Sequence, residues 1–366
     1  MDWPLNSMAV SNAANRSVPA PDASVRELMR SFLPLLDRPG VTELVVNRPG
    51  RVMLESHTGW ETVEVAALTF DKLMSIAVAI AQFTQQEISA RRPILSAMLP
   101  AGERIQVVVP PVTEQGTVSL TIRRPSASIR TLDEYVAAGA FDAVDDAASD
   151  QIGTVDRDLR LMMKDQQWGA FFRHAVRAKK NIAIVGDTGS GKTTFMKTLC
   201  QSIPFGERIL TIEDTRELFM PEHDNRVHLL YSKGGQGVAS VTPADLIASA
   251  MRMKPDRVLL AEMRGAEAYD FLKLLTTGHS GSITSFHAAN VSVAIERFAL
   301  MAKEHPEAAT YETASLKRLL ALTVDIVAHF GVVDVLDAQG RLVDKKRRMT
   351  GVYFDPERQR AIRAKD

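Results

Sequence analysis

The chain has 366 residues, which is enough for two domains with cores of their own. Its 44 basic and 44 acidic residues balance, so there is no overall field to attract nucleic acid or anionic lipid. The one cysteine, Cys200, excludes a disulfide framework and a four-cysteine zinc site, and we expect it to be a small buried residue. No signal peptide is evident at the start, and the longest apolar helical stretch, residues 73–83, is far short of the ~20 residues that span a bilayer. We therefore expect a soluble, intracellular protein.

The N-terminal third predicts a small α+β domain over residues 21–140, after a flexible tail over residues 1–20 that is rich in Ser, Asn, Ala and Pro. Apolar residues at helical spacing over residues 25–36 predict an amphipathic helix, which packs on its own domain or, alternatively, touches a membrane surface. Asp71 is expected to cap the next helix. The predicted strands cover residues 41–46, 51–55, 105–109 and 117–122, the first two joined by a turn over residues 47–50.

An acidic linker is predicted over residues 141–165, where Asp, Ala, Ser and Gly replace apolar periodicity. Residues 166–366 are predicted to form the second domain. Strands and helices alternate there through residue 330, which favours an α/β fold with a mainly parallel sheet covered on both faces. Thr242 followed by Pro243 marks a helix start, and a strand-rich tail with a turn over residues 334–340 ends the chain.

The most informative motif, G-x-x-x-x-G-K-[ST], lies between a buried apolar strand and the opening of a helix. In such a phosphate loop, backbone N–H groups close around phosphates and the helix dipole favours the anion. The lysine can reach the β- and γ-phosphates, and the following threonine can ligate Mg²⁺. The alternative is a glycine-rich turn without a ligand. The predicted nucleotide-binding residues are Gly186, Asp187, Thr188, Gly189, Ser190, Gly191, Lys192, Thr193 and Thr194.

Two further apolar strands end in carboxylates. Glu262 ends the first and is suited to orient a water for attack on the γ-phosphate, with Arg264 close enough to pair with it or with a neighbouring acid. Glu213 ends the second and is predicted to stand beside the Mg²⁺ bound by Thr193, because parallel strands present their carboxyl ends at one edge of a sheet. The alternatives are a solvated glutamate and a capping residue.

Two histidines, His279 and His287, flank a short strand in Thr-Gly-His-Ser-Gly-Ser-Ile-Thr-Ser-Phe-His. A metal site is excluded because no further histidine or cysteine cluster supports it. A lone histidine is usually structural, but at a strand end in this sheet both histidines are predicted to sense the nucleotide state, donating to phosphate or to Glu262.

Together these segments resemble the Walker A, Asp-box, Walker B and His-box motifs of bacterial secretion ATPases, in the same order across residues 181–290. Leu-Pro-Ala-Gly-Glu-Arg-Ile-Gln, Thr-Ile-Arg-Arg-Pro and Arg-Met-Lys-Pro-Asp-Arg also look like that family. Length and the lack of a four-cysteine insertion make the chain most similar to the traffic ATPases of type IV secretion, the VirB-eleven family.

The resemblance implies a RecA-like ATPase domain, ATP and Mg²⁺ as cofactors, and a homohexamer of two stacked rings. It also implies that Arg104 and Arg123 reach the nucleotide phosphates from the N-terminal domain, although an arginine on a strand is by itself usually a surface residue. The linker can let this domain dock on a neighbouring subunit. The expected partners are inner-membrane channel and coupling proteins, with the ATPase peripheral on the cytoplasmic face of the inner membrane.

The leading function is therefore an ATPase that energises substrate transfer or pilus assembly in type IV secretion. A type II secretion or type IV pilus ATPase shares every catalytic motif and stays open. A DNA motor or helicase is disfavoured, because the sequence encodes no basic stripe with interleaved aromatic residues. A nucleotide-gated scaffold is the remaining alternative.

Overall fold

The computed structural model describes residues 20–125, 129–142 and 153–363. Nearly all of the predicted N-terminal tail, and residues 143–152 of the predicted linker, lie outside these ranges. The described chain contains two sheets, and each is covered by helices and has its own hydrophobic core.

The N-terminal sheet has six antiparallel strands in the order β3-β2-β1-β6-β5-β4. Its strands are β1 (Glu43–Val46), β2 (Arg51–Ser56), β3 (Gly59–Glu64), β4 (Ile94–Met98), β5 (Arg104–Val108) and β6 (Ser119–Arg123). The helices of this part are α1 (Ala23–Met29), a 3-10 helix (Leu33–Asp37), α2 (Phe70–Phe83) and α3 (Leu132–Ala137). Thr69, not Asp71, caps α2: its hydroxyl accepts the N–H of Lys72 at 3.2 Å, and Asp71 lies in the first turn.

The amphipathic segment over residues 25–36 packs inside this domain. Val25, Met29, Phe32 and Leu36 are all buried in the core beneath the N-terminal sheet. Their burial leaves no apolar face for a membrane surface. No helix in the described part of the chain is long and apolar enough to cross a bilayer.

The C-terminal sheet has seven strands in the order β13-β12-β7-β11-β10-β8-β9, all parallel except β13. The strands are β7 (Ile182–Gly186), β8 (Ile209–Glu213), β9 (Arg226–Leu230), β10 (Arg257–Leu260), β11 (Ile283–Phe286), β12 (Ile326–Leu336) and β13 (Leu342–Phe354). The helices are α4 (Thr154–Lys164), α5 (Trp168–Arg177), α6 (Lys192–Cys200), α7 (Pro243–Ala250), α8 (Glu267–Thr276), α9 (Val291–Lys303), α10 (Thr313–Thr323) and α11 (Pro356–Arg363). Separate cores on the two faces of this sheet confirm the predicted α/β fold class.

Helix α4 occupies residues that we predicted as linker. Its Leu159 is fully buried and packs in the same core as Phe171 of α5 and Ile184 of β7. An ion pair of 2.5 Å between Asp156 of α4 and Lys180, which lies between α5 and β7, also holds the helix against this domain. Residues 154–164 are therefore part of the second domain, and the predicted boundary near residue 165 is too late.

The two domains meet around Arg208, which directly precedes β8 and is fully buried. Its guanidinium donates to the side-chain oxygens of Asn47 at 2.7 Å and Asn225 at 2.6 Å, and to the carbonyl of Met253 at 2.8 Å. Burial lowers the pKa of Arg208 to about 10. Because Arg208 and Asn225 lie just before β8 and β9, the N-terminal domain rests on the edge where the parallel strands begin, called the amino edge below.

Candidate nucleotide-binding site

The phosphate loop lies at the opposite edge of the parallel sheet, where the strands end, called the carboxyl edge below. It leaves β7 at Gly186 and enters α6 at Lys192. Gly186 has φ 147°, and a Cβ there would lie 2.0 Å from the carbonyl oxygen of Phe330 on the adjacent strand β12. Gly189 and Gly191 also have positive φ values, of 72° and 103°. Only glycine fits this path without strain, which explains the glycine pattern of the motif.

Lys192 is folded back into the loop. Its side chain is almost fully buried, and Nζ donates to the carbonyls of Gly186 and Asp187, each at 2.8 Å. Burial lowers the pKa of Lys192, and the negative charge of Glu262 opposes that shift. The loop carbonyls hold the ammonium at the place where phosphate oxygens would offer it a stronger, charged acceptor.

Glu262 and His287 are brought together, as predicted. Glu262 follows β10 and His287 follows β11, and because these strands are parallel neighbours their carboxyl ends meet. Oε1 of Glu262 lies 3.0 Å from Nε2 of His287, while the guanidinium of Arg264 contacts Oε2. Arg264 also lies 3.6 Å from Asp214, at the end of β8. The cluster is partly open to solvent. It is also close enough to Lys192 for the negative charge of Glu262 to raise the pKa of that lysine.

Glu213 has a different environment from the one predicted. It is buried, and its two oxygens accept four hydrogen bonds: from Thr211 at 2.6 Å, His228 at 3.1 Å, and the N–H groups of Glu217 at 2.8 Å and Leu218 at 2.9 Å. Although burial raises it, these hydrogen bonds hold the pKa of Glu213 below its usual range.

The position of Glu213 also separates it from the phosphate loop. Strand β8 is separated from β7 by β10 and β11, a lateral distance of about 14 Å at the usual strand spacing. A carboxylate has about four lone-pair sites, and all are in use here. This geometry argues against the predicted Mg²⁺ ligand and catalytic role, and gives Glu213 the task of holding the loop after β8.

His279, Arg104 and Arg123 lie at the amino edge, away from the phosphate loop of their own chain. His279 lies four residues before β11, and its Nδ1 is 3.1 Å from the hydroxyl of Thr277. Burial lowers the pKa of His279. The three side chains line one cavity of about 840 Å³ between the two domains. The predicted contact of His279 with Glu262 is not formed, because that histidine precedes its strand whereas His287 follows it.

Arg104 and Arg123 face each other on neighbouring strands, at paired positions of β5 and β6. Nε of Arg123 lies 3.4 Å from Glu43 on β1, and most of its side chain is exposed. Both arginines therefore point to the interdomain cavity, and neither reaches a phosphate at the loop of the same chain.

Sequence reasoning missed a contact made by the C-terminal strands. Arg347 of β13 donates through Nε to the carbonyl of Gly189 in the phosphate loop, at 2.7 Å. The basic run over residues 345–348 is visible in the sequence, but only the strand register shows which of its members faces the loop.

Comparison with known proteins gives one consistent family. A model of the type II/IV secretion system protein family matches residues 29–352. The type IV secretion system protein VirB11 of Brucella suis is 44% identical, covering 93% of this chain and 92% of the relative. The protein PtlH of Bordetella pertussis is 40% identical, covering 93% and 98%.

A solved structure agrees with the sequence relatives. The crystal structure of the VirB11 ATPase from the Brucella suis type IV secretion system, in complex with sulphate, superposes with a TM-score of 0.85 at 44% identity. The superposition covers 93% of this chain and all of the other. The predicted family is confirmed by sequence and by fold alike: the chain belongs to the type II/IV secretion system protein family and, within it, to the VirB11 P-loop ATPases of type IV secretion.

Proposed function

We propose that the chain hydrolyses ATP at sites shared between subunits of a homohexameric ring, and that this work drives substrate transfer or pilus assembly through a bacterial type IV secretion channel. The observation that carries the proposal is the separation of the predicted site residues into two groups on opposite edges of one sheet. Lys192, Glu262 and His287 lie at the carboxyl edge, and Arg104, Arg123 and His279 lie at the amino edge.

The two groups complement each other only between molecules. Strands β7 to β11, which separate the two edges here, are about 13–16 Å long, so an arginine at the amino edge cannot reach a phosphate at the carboxyl edge of its own sheet. A head-to-tail contact places the amino edge of one subunit on the carboxyl edge of the next. Such a heterologous contact closes into a ring when the rotation between subunits allows it. Arg104 and Arg123 then supply charge-assisted hydrogen bonds to the phosphates of the neighbouring subunit's nucleotide.

Each side chain at the carboxyl edge has a distinct role. Lys192 exchanges its loop carbonyls for the β- and γ-phosphates. Glu262 orients the attacking water and takes its proton, because a carboxylate placed at hydrogen-bond distance is an effective general base. His287 and Arg264 hold the two oxygens of Glu262 and so fix its direction. Thr193, half-buried in the first turn of α6, supplies a neutral oxygen ligand for Mg²⁺, which would neutralise charge on the phosphates.

The side chains near the phosphate loop suit Mg²⁺ bound together with a nucleotide. Among the described residues no group of three His, Cys, Asp or Glu side chains could hold a metal by itself. Mg²⁺ usually takes one or two protein oxygens together with substrate phosphates and waters, so it needs no preformed cage.

Association with the membrane is assigned to partner proteins of the secretion channel, since the apolar face over residues 25–36 is used inside its own domain. We expect the ATPase to sediment with the inner membrane when its channel partners are present and to be partly released by high salt, because exposed charge contacts are screened within about 10 Å at 0.1 M. Membrane binding without partners, resistant to salt and carbonate, would contradict this assignment.

Two variants test hydrolysis by separating nucleotide binding from turnover. Lys192→Ala is expected to lose both nucleotide binding and turnover. Glu262→Gln is expected to bind ATP like the parent but to turn it over about 10²–10⁴-fold more slowly, the range for a positioned general base. Glu296→Gln, on the exposed face of α9, is the matched control and should behave like the parent. Parental turnover by Glu262→Gln would overturn the role given to this residue.

A further inference from the structure

The strands β12 and β13 form a ribbon that continues beyond the parallel sheet at the phosphate loop. Strand β12 pairs with β7 as far as Phe330 opposite Gly186, where β7 ends. Beyond that point, among the strands of the described chain, β12 and β13 pair only with each other, as far as Leu336 opposite Leu342. The free part of the ribbon, residues 331–348, therefore projects past the carboxyl edge next to the loop.

Arg347 is the ribbon residue that contacts the loop. Its Nε donates to the carbonyl of Gly189 at 2.7 Å. Its aliphatic stem covers Gly191, since a Cβ built there would lie 3.5 Å from Cδ of Arg347. Side chains alternate along a strand, so Arg347 faces the loop while its neighbours Lys346 and Arg348 face the other way. The contact is thus specific to one member of a basic run.

The contact fits the chemistry of phosphate binding in two ways. A phosphate loop binds its anion through backbone N–H groups, and the hydrogen bond from Arg347 occupies the carbonyl of Gly189 and so helps to fix that part of the loop. The bond uses only Nε, and the two terminal nitrogens of Arg347 make no hydrogen bond to the described residues, on a side chain that is exposed to solvent. The free terminal nitrogens of a guanidinium can donate two parallel hydrogen bonds to phosphate oxygens, whereas a lysine ammonium acts on them as a point charge.

We propose that Arg347 is a nucleotide-binding residue of the same chain as the phosphate loop: it holds the loop through Gly189 and directs its terminal nitrogens to the phosphates bound there. This inference rests on the proposed ATP site and adds a fourth basic side chain to it, after Lys192, Arg104 and Arg123. Unlike Arg104 and Arg123, Arg347 needs no neighbouring subunit to reach the loop. Binding of ADP or pyrophosphate to a single subunit should therefore already depend on it.

The test compares Arg347→Ala and Arg347→Lys with Arg348→Ala, which removes the same charge one residue away on the opposite face of the ribbon. Affinities for ADP and for inorganic pyrophosphate are measured by calorimetry on the full chain, together with kcat and KM for ATP. Arg347→Ala is expected to weaken both affinities about tenfold or more, the usual scale for lost charge-assisted hydrogen bonds, and to raise KM more than it lowers kcat. Arg347→Lys should fall between it and the parent, and Arg348→Ala should match the parent.

The outcomes separate this inference from the proposed function. If the parent binds ATP and Lys192→Ala does not, while Arg347→Ala binds ADP within twofold of Arg348→Ala, the inference on Arg347 is overturned and the ATP site stands. If the parent itself fails to bind nucleotide, the proposed function fails. Thermal unfolding of each variant checks that it is folded. If Arg347→Ala is unfolded, Arg347→Lys decides instead. Affinities of Arg347→Lys for ADP and pyrophosphate equal to those of the parent would then overturn the inference.

Discussion

Replacing Glu43 with glutamine should stabilise the protein at high pH. Glu43 begins β1, is only 2% exposed, and has one carboxylate oxygen without a hydrogen-bond partner among the described residues. Its other oxygen lies 3.4 Å from Nε of the largely exposed Arg123. Burial raises the pKa of Glu43 to about 7, with Arg123 pulling it down and Glu55 pushing it up. Ionising this carboxyl in the folded protein is therefore costly.

The size and sign of the effect follow from the two pKa values. In the unfolded chain the carboxyl titrates near 4.5, so the folded state binds its proton more tightly. The stability that this proton contributes is complete below about pH 4.5 and is lost as pH rises through about 7. The difference between about 7 and 4.5 corresponds to about 3 kcal/mol. Glutamine avoids this loss, and the attraction of Arg123 is already included in the pKa of about 7. The expected gain is therefore about 3 kcal/mol at pH 8.5 and about zero at pH 4.5.

Calorimetric unfolding of the full chain between pH 4.5 and 8.5 measures this gain. The parent should lose thermal stability across pH 5–7 relative to Glu43→Gln, by several degrees, since about 1 kcal/mol shifts Tm by about 1–2 °C in a chain of 366 residues. Glu61→Gln, an exposed carboxylate on β3, is the control and should keep the parental pH dependence. Equal pH dependence in Glu43→Gln and Glu61→Gln would show that ionisation of Glu43 does not destabilise the folded protein.

Two further predictions follow from single contacts. Gly186→Ala should abolish nucleotide binding and lower the free energy of unfolding by more than about 2 kcal/mol, because its Cβ would overlap the Phe330 carbonyl; unchanged calorimetric binding and urea unfolding would contradict this. Arg208→Met should loosen the domain junction, since Asn47 and Asn225 lose their shared buried donor. We expect faster limited proteolysis between two intact domains, and a parental cleavage pattern would contradict that expectation.

Local sequence signals predicted the carboxyl edge of the site well. The phosphate loop is defined by consecutive residues, and the contact of Glu262 with His287 follows from two neighbouring parallel strands that are each followed by a titratable side chain. Similarly, Thr242 followed by Pro243 marked the start of α7. In these cases the interacting residues are either close in the sequence or lie at the carboxyl ends of parallel strands, which meet at one edge of a sheet. Both relations can be inferred from the sequence.

The sequence did not determine features that depend on which strands are neighbours. Glu213 and Glu262 are both acids at the end of a strand, but the strand order places only Glu262 of the two near Lys192. The acceptor sites of Glu213 are used by hydrogen bonds from groups around it. His279 and His287 look alike in the sequence, but β11 begins after His279 and ends before His287, so the two histidines lie at opposite edges of the sheet. These neighbour relations leave no local pattern. Helix α4 is a different case: Val155, Leu159, Met162 and Met163 follow helical spacing and pack on the core, but the acidic composition before the helix led us to extend the linker over it.

We propose that each ATP site is completed by a neighbouring subunit, and mixing two inactive variants tests this arrangement. Lys192→Ala removes the phosphate-loop half of the site, and a variant carrying both Arg104→Ala and Arg123→Ala removes the other half. Each variant alone is expected to form rings without ATPase activity. Co-expressed in equal amounts, they should regain about a quarter of the parental activity, because about one contact in four pairs an intact loop with intact arginines in a head-to-tail ring.

That recovery is the measurement to make, with ATPase rates taken on purified mixed oligomers and on each variant alone. Activity near a quarter of the parental rate in the mixture, and none in either variant, is the result that a shared site predicts. A mixture as inactive as its two components would mean that both halves must come from the same subunit, so the ATP site would not be shared between neighbours.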